Sequence, residues 1–402
     1  MNNSLDVYLH QILAGQLSID VQGDMVFTYH PSYLLHKKNQ ALSQSLPLQE
    51  APYLTKQCRP FFGGILPEAH MRMAIARQLG ISEKNDFALL SAIGGECAGA
   101  ISLLPSNATP QDLQPNYRVL DEQAVSDILQ TMHQRPMIAG EDGIRLSLAG
   151  AQDKLPIAVR DGQIAIPING APSTHILKPI NQTFPSLIEN ECFCLQLADK
   201  VGLNTAKASM HKAEGHPYLL VERYDRIVIQ GDIQRYHQED FCQALAIIPE
   251  MKYQREGGPG LLDCFQLLRK VSSLPAIDLK MLLQGVLFNV IIGNNDAHGK
   301  NFSLLYHAHQ TRLAPFYDMI STIQYPSLAA KMAMKIGSKY DFDGLFPRHI
   351  LQMAEEAHLS RSLVHKEMLS MVAKVQDNLD TTSPYSATIQ QRANKISQRF
   401  KM

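Results

Sequence analysis

The chain has 402 residues, 45% of them hydrophobic and 19% charged, which excludes disordered and low-complexity classes and leaves length for two or three domains. Lys plus Arg number 37 against 38 Asp plus Glu, a formal net charge of −1, so nucleic-acid binding through bulk charge is disfavoured and only a local basic patch could serve. Six scattered cysteines in so long a chain argue against a disulfide framework and for a reducing cytosol. The N-terminus lacks a basic region followed by an apolar run, and the most apolar stretch, 285–293, is far shorter than the roughly 20 residues of a membrane span. The expectation is a soluble, cytoplasmic protein with no membrane partner.

In chain order, Leu5–His10 and Asp24–Tyr29 alternate apolar and polar residues and predict a small sheet. Leu66-Pro67-Glu68 opens a helix that runs through Met71 and Ile75 to Gly80, with Pro near its start and Gly after its end. A second helix covers Asp86–Ile93 and a strand Ala98–Leu104, and turn-rich Pro105–Pro110 closes the first module. Ile144–Leu148 and Leu155–Val159 read as two strands around a turn, and Asp161-Gly162 turns the second into Gln163–Ile166. A strand at His175–Lys178 stops at Pro179, a helix spans Leu187–Val201 before Gly202, and a strand at Tyr218–Tyr224 ends in Asp225-Arg226. From about 227 onward the pattern is mostly helical, with strand signals limited to short pieces near Ser303–Tyr306. A β-rich half followed by a helical half predicts an α+β, two-lobed architecture. The divisions are 1–105, a small N-terminal subdomain; 106–226, a β-rich lobe; and 227–402, a helical lobe.

The richest stretch for chemistry is Asn289–Phe302, where an apolar helix ends in a polar loop. Asp296 and Asn301 stand in the D-x-x-x-x-N spacing of a kinase catalytic loop, in which the Asp accepts the substrate hydroxyl's proton and the Asn holds a metal ion. Turn chemistry alone also accounts for that spacing. Asp318 could return to the same place across a hairpin, and Asn and Asp oxygens suit Mg²⁺. His298 serves as a loop-holding ring or as a competing base. Lys300 neutralises phosphate charge or is a solvated loop charge. Asp341-Phe342-Asp343-Gly344 resembles a kinase D-F-G only superficially and reads as a loop.

Upstream, the small residues of Ser147–Lys154 would let backbone N–H groups approach phosphates, or simply make a hairpin. Lys178 ends a strand as a phosphate-binding kinase lysine does, and Glu191 or Glu189 could pair with it. Each feature is weak, but their order along the chain is that of a kinase and favours phosphoryl transfer. Cys192 and Cys194 read as buried thiols. Arg392, Lys395, Arg399 and Lys401 read as the solvated face of a helix.

The chain resembles the HipA toxin kinases of bacterial type II toxin–antitoxin modules. The matching words are Phe61–Glu68, Asp86–Leu90, Ala98–Ile101, Ser147–Lys154, Asn190-Glu191, Val221–Arg226, Gln238–Leu245, Gly257–Leu261, Asn295–Phe302 and Ala314–Asp318. The resemblance implies a two-lobed protein-kinase-like fold with an extra N-terminal subdomain and an all-helical C-lobe, working with ATP and Mg²⁺. It implies that Asp296 is the catalytic base, with Lys300 beside it, and that Asn301 and Asp318 bind the metal. Nucleotide contacts would come from Ser147, Ala149, Gly150, Ala151, Gln152, Lys154, Lys178 and His298, with Glu222 and Tyr224 at the adenine hinge. Tyr224 stands where Phe is frequent. Ser147 matches the serine on which such kinases phosphorylate themselves and switch off. The partners implied are a HipB-like helix-turn-helix antitoxin that contacts DNA, and a protein substrate of the aminoacyl-tRNA synthetase class, the glutamyl enzyme foremost. A small-molecule phosphotransferase and a non-catalytic co-repressor are the competing readings.

Overall fold

The computed structural model describes residues 3–36 and 39–401. The chain divides into two compact units, residues 1–181 with 209–249 and residues 182–208 with 250–402. In the first unit, strands β1 (Ser4–Leu9), β2 (Ile12–Ile19) and β3 (Met25–Tyr29) lead through helix α1 (Pro31–Leu35) to β4 (Tyr53–Leu54). Helices α2 (Thr55–Gly64), α3 (Ala69–Leu79) and α4 (Asp86–Ile93) follow, and β5 (Ile101–Pro105) closes an antiparallel sheet of order β4-β3-β2-β1-β5. Leu5, Val7, Leu17 and Phe27 are fully buried, and Phe62 of α2 packs on Phe27 with ring centroids 5.3 Å apart. The sheet therefore buries its apolar alternation under α2. Sequence reading passes over β2, whose burial pattern is irregular.

A second sheet, of order β10-β11-β9-β7-β8-β6, lies in the same unit. Its strands are β6 (Asn116–Val119), β7 (Leu155–Arg160), β8 (Gln163–Ile168) and β9 (His175–Pro179), with α5 (Glu122–Thr131) between β6 and β7. The chain then departs for α6 (Leu187–Lys200), part of the second unit, and returns as β10 (Ala208–Ala213) and β11 (His216–Glu222). Asp161 and Gly162 have φ of 49° and 78°, the double positive φ that a two-residue hairpin favours, so this turn forms where Asp-Gly predicts it.

Two expectations for the strands are overturned. Residues 144–148 form no strand, and only Leu146 makes an isolated bridge, parallel to Glu96. Ile144, Leu146 and Leu148 are buried as a strand's residues would be, but the flanking backbone is drawn into loops: Ser147 N–H donates to Glu96 O at 2.9 Å, and Gly143 sits at φ 77°. Past 226, where helix was expected, come β12 (Arg226–Ile229), β13 (Asp232–Arg235) and β14 (His237–Asp240) before α7 (Phe241–Ala244). The turn between β12 and β13 is Gln230-Gly231, again with both φ positive, but Gln-Gly is a weaker sequence signal than Asp-Gly.

A buried charge cluster joins the α4–β5 connection to the end of β11. Arg223 and Arg226 both pair with Glu96 and with Asp225, and Gly99 N–H donates to Asp225 at 2.7 Å. All four side chains are at most 3% exposed. Burial pushes the two carboxyls up, but the guanidiniums outweigh it and hold both below the ordinary carboxylate range.

The second unit holds α6, α8 (Leu261–Val271), α9 (Pro275–Ile292), α10 (Pro347–Glu356), α11 (Arg361–Asn378) and α12 (Ser386–Lys401). It also carries one hairpin, β15 (Ser303–His307) and β16 (Gln310–Leu313). The 18 residues of α9 form a helix long and apolar enough to cross a membrane, longer than the apolar stretch marked from sequence. Eleven of them are buried, and α8, α11 and α12 pack on it, so it is the core helix of the unit. All six cysteines are buried and free, and Cys194 donates to Asn190 Oδ1 at 3.3 Å.

Candidate active site

Helix α9 delivers its C-terminus to the loop singled out from sequence. Gly293 closes the helix in the left-handed region at φ 75°, and Asn294 N–H reaches back to Asn289 O at 2.9 Å, a helix stop that glycine makes readily. A Cβ at position 293 would also stand 2.5 Å from the Ile323 side chain. Arg392 of α12 supplies the missing donors for the last turn, giving hydrogen bonds to Val290 O at 2.6 Å and Ile291 O at 3.1 Å. Its guanidinium lies 4.4 Å from the Phe342 ring, and burial pushes its pKa down to about 10. Arg392 is thus a helix cap and not part of a solvated face, which corrects the sequence reading of the tail.

Within the loop Asn294, Asn295, His298 and Lys300 are buried, whereas the Asp296 side chain is exposed. Asp296 N–H donates to Asn294 Oδ1 at 3.0 Å. His298 N–H donates to Asn301 Oδ1 at 3.1 Å, and Asn301 N–H returns to His298 O at 2.9 Å. Asn301 is thereby locked by its own loop, with a second oxygen lone pair left over. Lys300 is buried, against the solvated-charge reading.

Asp318 is brought alongside this loop. Tyr317 OH donates to Lys300 O at 2.7 Å, ahead of Asp318 in sequence. Beyond it, Ser321 Oγ donates to Ile292 O at 2.6 Å, and Thr322 Oγ1 accepts from Asn295 N–H at 2.7 Å. Buried Asn190 of α6 fixes Ser321 from the other side, through 2.9 Å and 3.2 Å bonds to its backbone. Asp318 itself has φ 51°, an uncommon conformation that Asp tolerates better than most residues and that clusters at functional sites. Asp296, His298, Lys300 and Asn301 thus share one loop of the second unit, and the bond from Tyr317 ties the residue before Asp318 to that loop. Among the described residues no group of three His, Cys, Asp or Glu forms a metal site. An Asn–Asp oxygen pair fits a hard cation that takes its remaining ligands from phosphate and water.

The other sequence-marked residues lie in the first unit. Ser147 is fully buried and its Oγ donates to Ile65 O at 3.1 Å. Gly150, at φ 106°, accepts from Glu68 N–H at 3.1 Å, and Lys154 Nζ donates to Ala149 O at 2.6 Å. The Ser147–Lys154 turn is therefore an irregular loop held by residues 65–68, not a plain hairpin. Gln152 Nε2 is buried with no hydrogen-bond partner, an orphan donor of the kind a bound anion would satisfy. Lys178 is buried in β9 opposite Leu219 of β11. Glu222 is exposed at the end of β11, and the Tyr224 hydroxyl donates to Gln238.

Sequence reading missed Tyr253. Its hydroxyl donates to Asp296 Oδ1 at 2.7 Å, and its ring stands edge-on to His298, with centroids 5.2 Å apart. The only signal was its place four residues before the Gly257-Gly258-Pro259-Gly260 run.

Two family models match this chain: the HipA N-terminal domain over residues 5–104 and the HipA-like C-terminal domain over residues 146–380. The chain belongs to the HipA family. "Putative kinase Y4mE" of Sinorhizobium fredii is 43% identical, covering 99% of this chain and 98% of its own. "Serine/threonine-protein kinase toxin HipA" of Shewanella oneidensis is 29% identical, over 92% of this chain and 87% of its own. A solved Shewanella oneidensis complex of HipA, HipB and operator DNA contains a chain that aligns with a TM-score of 0.83 at 27% identity, covering 99% of this chain and 96% of that one. The α+β, kinase-like fold class read from the sequence is the fold observed.

Proposed function

We propose that this protein is an ATP-dependent serine/threonine protein kinase acting as the toxin of a toxin–antitoxin pair. The observation that carries the reading is the exposed Asp296 carboxylate on a largely buried loop in which Asn301 is locked, with Tyr317, the neighbour of Asp318, bonded to the same loop at Lys300 O. Asp296 accepts the proton of the substrate hydroxyl, whose oxygen takes the γ-phosphoryl group as ADP leaves. Asn301 and Asp318 would hold Mg²⁺, which would neutralise phosphate charge. Lys300 adds a positive charge beside the base. In the first unit the proposed nucleotide contacts are Ala149, Gly150, Ala151, Gln152, Lys154 and Lys178, with Glu222 and Tyr224 for the adenine; in the second unit His298 is a proposed nucleotide contact on the catalytic loop. In functional terms residues 1–105 would be the added subdomain, 106–226 the nucleotide lobe and 227–402 the catalytic lobe, although 182–208 pack in the second compact unit and 227–249 in the first.

Ser147 is the proposed autophosphorylation site. Its hydroxyl is sequestered against Ile65 O, so the loop must leave that position before Ser147 can accept phosphate, and two added charges would hinder its return. A HipB-like antitoxin provides the DNA contacts, consistent with a net charge of −1 here and with the HipA–HipB–DNA complex of the relative. The target proposed is an aminoacyl-tRNA synthetase, the glutamyl enzyme first. With labelled ATP and Mg²⁺, the wild-type protein transfers phosphate to itself at Ser147 and to a protein in cell extract, and Asp296→Asn does neither. Transfer and growth arrest that survive Asp296→Asn would refute the kinase reading; labelling of a metabolite alone would select a small-molecule phosphotransferase.

A further inference from the structure

We infer that Tyr253 is a positioning residue that holds the Asp296 carboxylate in the orientation phosphoryl transfer requires. This inference rests on the kinase reading above. A carboxylate has two oxygens, and Asp296 is exposed, so its side chain would otherwise sample several rotamers. The Tyr253 hydroxyl donates to Oδ1 at 2.7 Å, leaving Oδ2 to accept from the substrate hydroxyl. His298 braces the phenol ring from the loop that carries Asp296.

The backbone that carries Tyr253 is fixed. Gly258 N–H donates to Tyr253 O at 2.9 Å, and Gln254 N–H donates to Ala333 O at 3.1 Å. Ala333 N–H in turn donates to Asn295 O at 2.7 Å, and Gln254 Oε1 accepts from Lys335 N–H at 2.8 Å. The Tyr253 segment is thus bonded through the Ala333 segment to the residue preceding Asp296. Gly258 makes this approach feasible: a Cβ there would stand 2.2 Å from Met251 O and 2.8 Å from Tyr253 O, both backbone atoms. A phenol on so tethered a loop is built to stay, which suits a preorganised contact better than a mobile gate.

The test is steady-state kinetics of Tyr253→Phe beside wild type and Asp296→Asn. A lost hydrogen bond to a charged group predicts a fall in kcat of about ten- to a hundred-fold. The KM for ATP and the melting temperature stay within error of wild type, a split that a general loss of structure would not produce. Wild-type or higher kcat in Tyr253→Phe, with Asp296→Asn inactive, overturns the inference and leaves the kinase reading standing. A fall in kcat accompanied by a raised KM for ATP and a lowered melting temperature also overturns it, assigning Tyr253 to the fold alone. A wild-type protein without phosphoryl transfer overturns both.

Discussion

Replacing Arg392 with Ala removes three things at once from the C-terminus of α9. Two hydrogen bonds from a guanidinium to Val290 O and Ile291 O are lost, and those carbonyls stay where α12 excludes water. The favourable meeting of a cation with the negative end of the helix is lost, as is the contact with the Phe342 ring at 4.4 Å. Hydrogen bonds to charged groups contribute about 1.5–3 kcal/mol, the cation–ring contact about 0.5–1 and the helix dipole about 0.3–1, and these terms overlap. A net loss of about 2–4 kcal/mol follows, a drop of roughly 10 °C in melting temperature for a unit of this size. Differential scanning calorimetry reads it directly. Arg392→Lys keeps the charge but has no planar fork to span two carbonyls, so it should fall between wild type and Ala. A melting temperature for Arg392→Ala within about 2 °C of wild type would refute the capping argument, as would Lys and Ala variants of equal stability.

Two further outcomes are expected. Burial drives the His237 pKa from 6.5 down to about 4, with the ring facing Leu42 O at 2.8 Å. The folded pKa is the lower one, so this stabilisation is complete above pH 6.5 and is lost as pH falls toward 4, at most about 3 kcal/mol. Urea unfolding from pH 7 to pH 4 should show that decline, and His237→Gln should flatten it. Asn190→Ala leaves Ser321 N–H buried without its partner, while Ser321 O keeps the bond from Gln324 N–H at 3.2 Å, and should cost about 1–3 kcal/mol in the same assay, with reduced phosphoryl transfer because Ser321 anchors the segment that carries Asp318.

What could be read from the sequence was whatever local chemistry dictates. α4 has the same bounds in prediction and structure, α6 ends one residue early, and the β7–β8 turn forms at Asp161-Gly162. The loop from Asn294 to Asn301 was legible because its polar residues interrupt an apolar helix at kinase spacing. Contacts set by tertiary approach were not. Residues 144–148 have strand-like alternation, but their backbone bonds go to Glu96 and nearby loops. Arg392 has the spacing of a solvated face, yet it reaches carbonyls about 100 positions away. Tyr253 lies 43 positions from Asp296, and no periodicity connects them.

The charge cluster around Glu96 bears on how the chain can be dissected. The match to the C-terminal family model begins at residue 146, which suggests a fragment that could be made alone. Such a fragment would keep Arg223, Asp225 and Arg226 and lose Glu96, exchanging two balanced pairs for two guanidiniums that share one carboxylate. It would also uncover the surface on which residues 65–68 hold the Ser147 loop. Removing a partner from a buried ion pair costs about 3–5 kcal/mol, a large share of the stability of an ordinary domain. Glu96, from the N-terminal family segment, is thus the counter-ion for two guanidiniums of the C-terminal one, and a fragment that starts at residue 146 should be less stable than the whole chain.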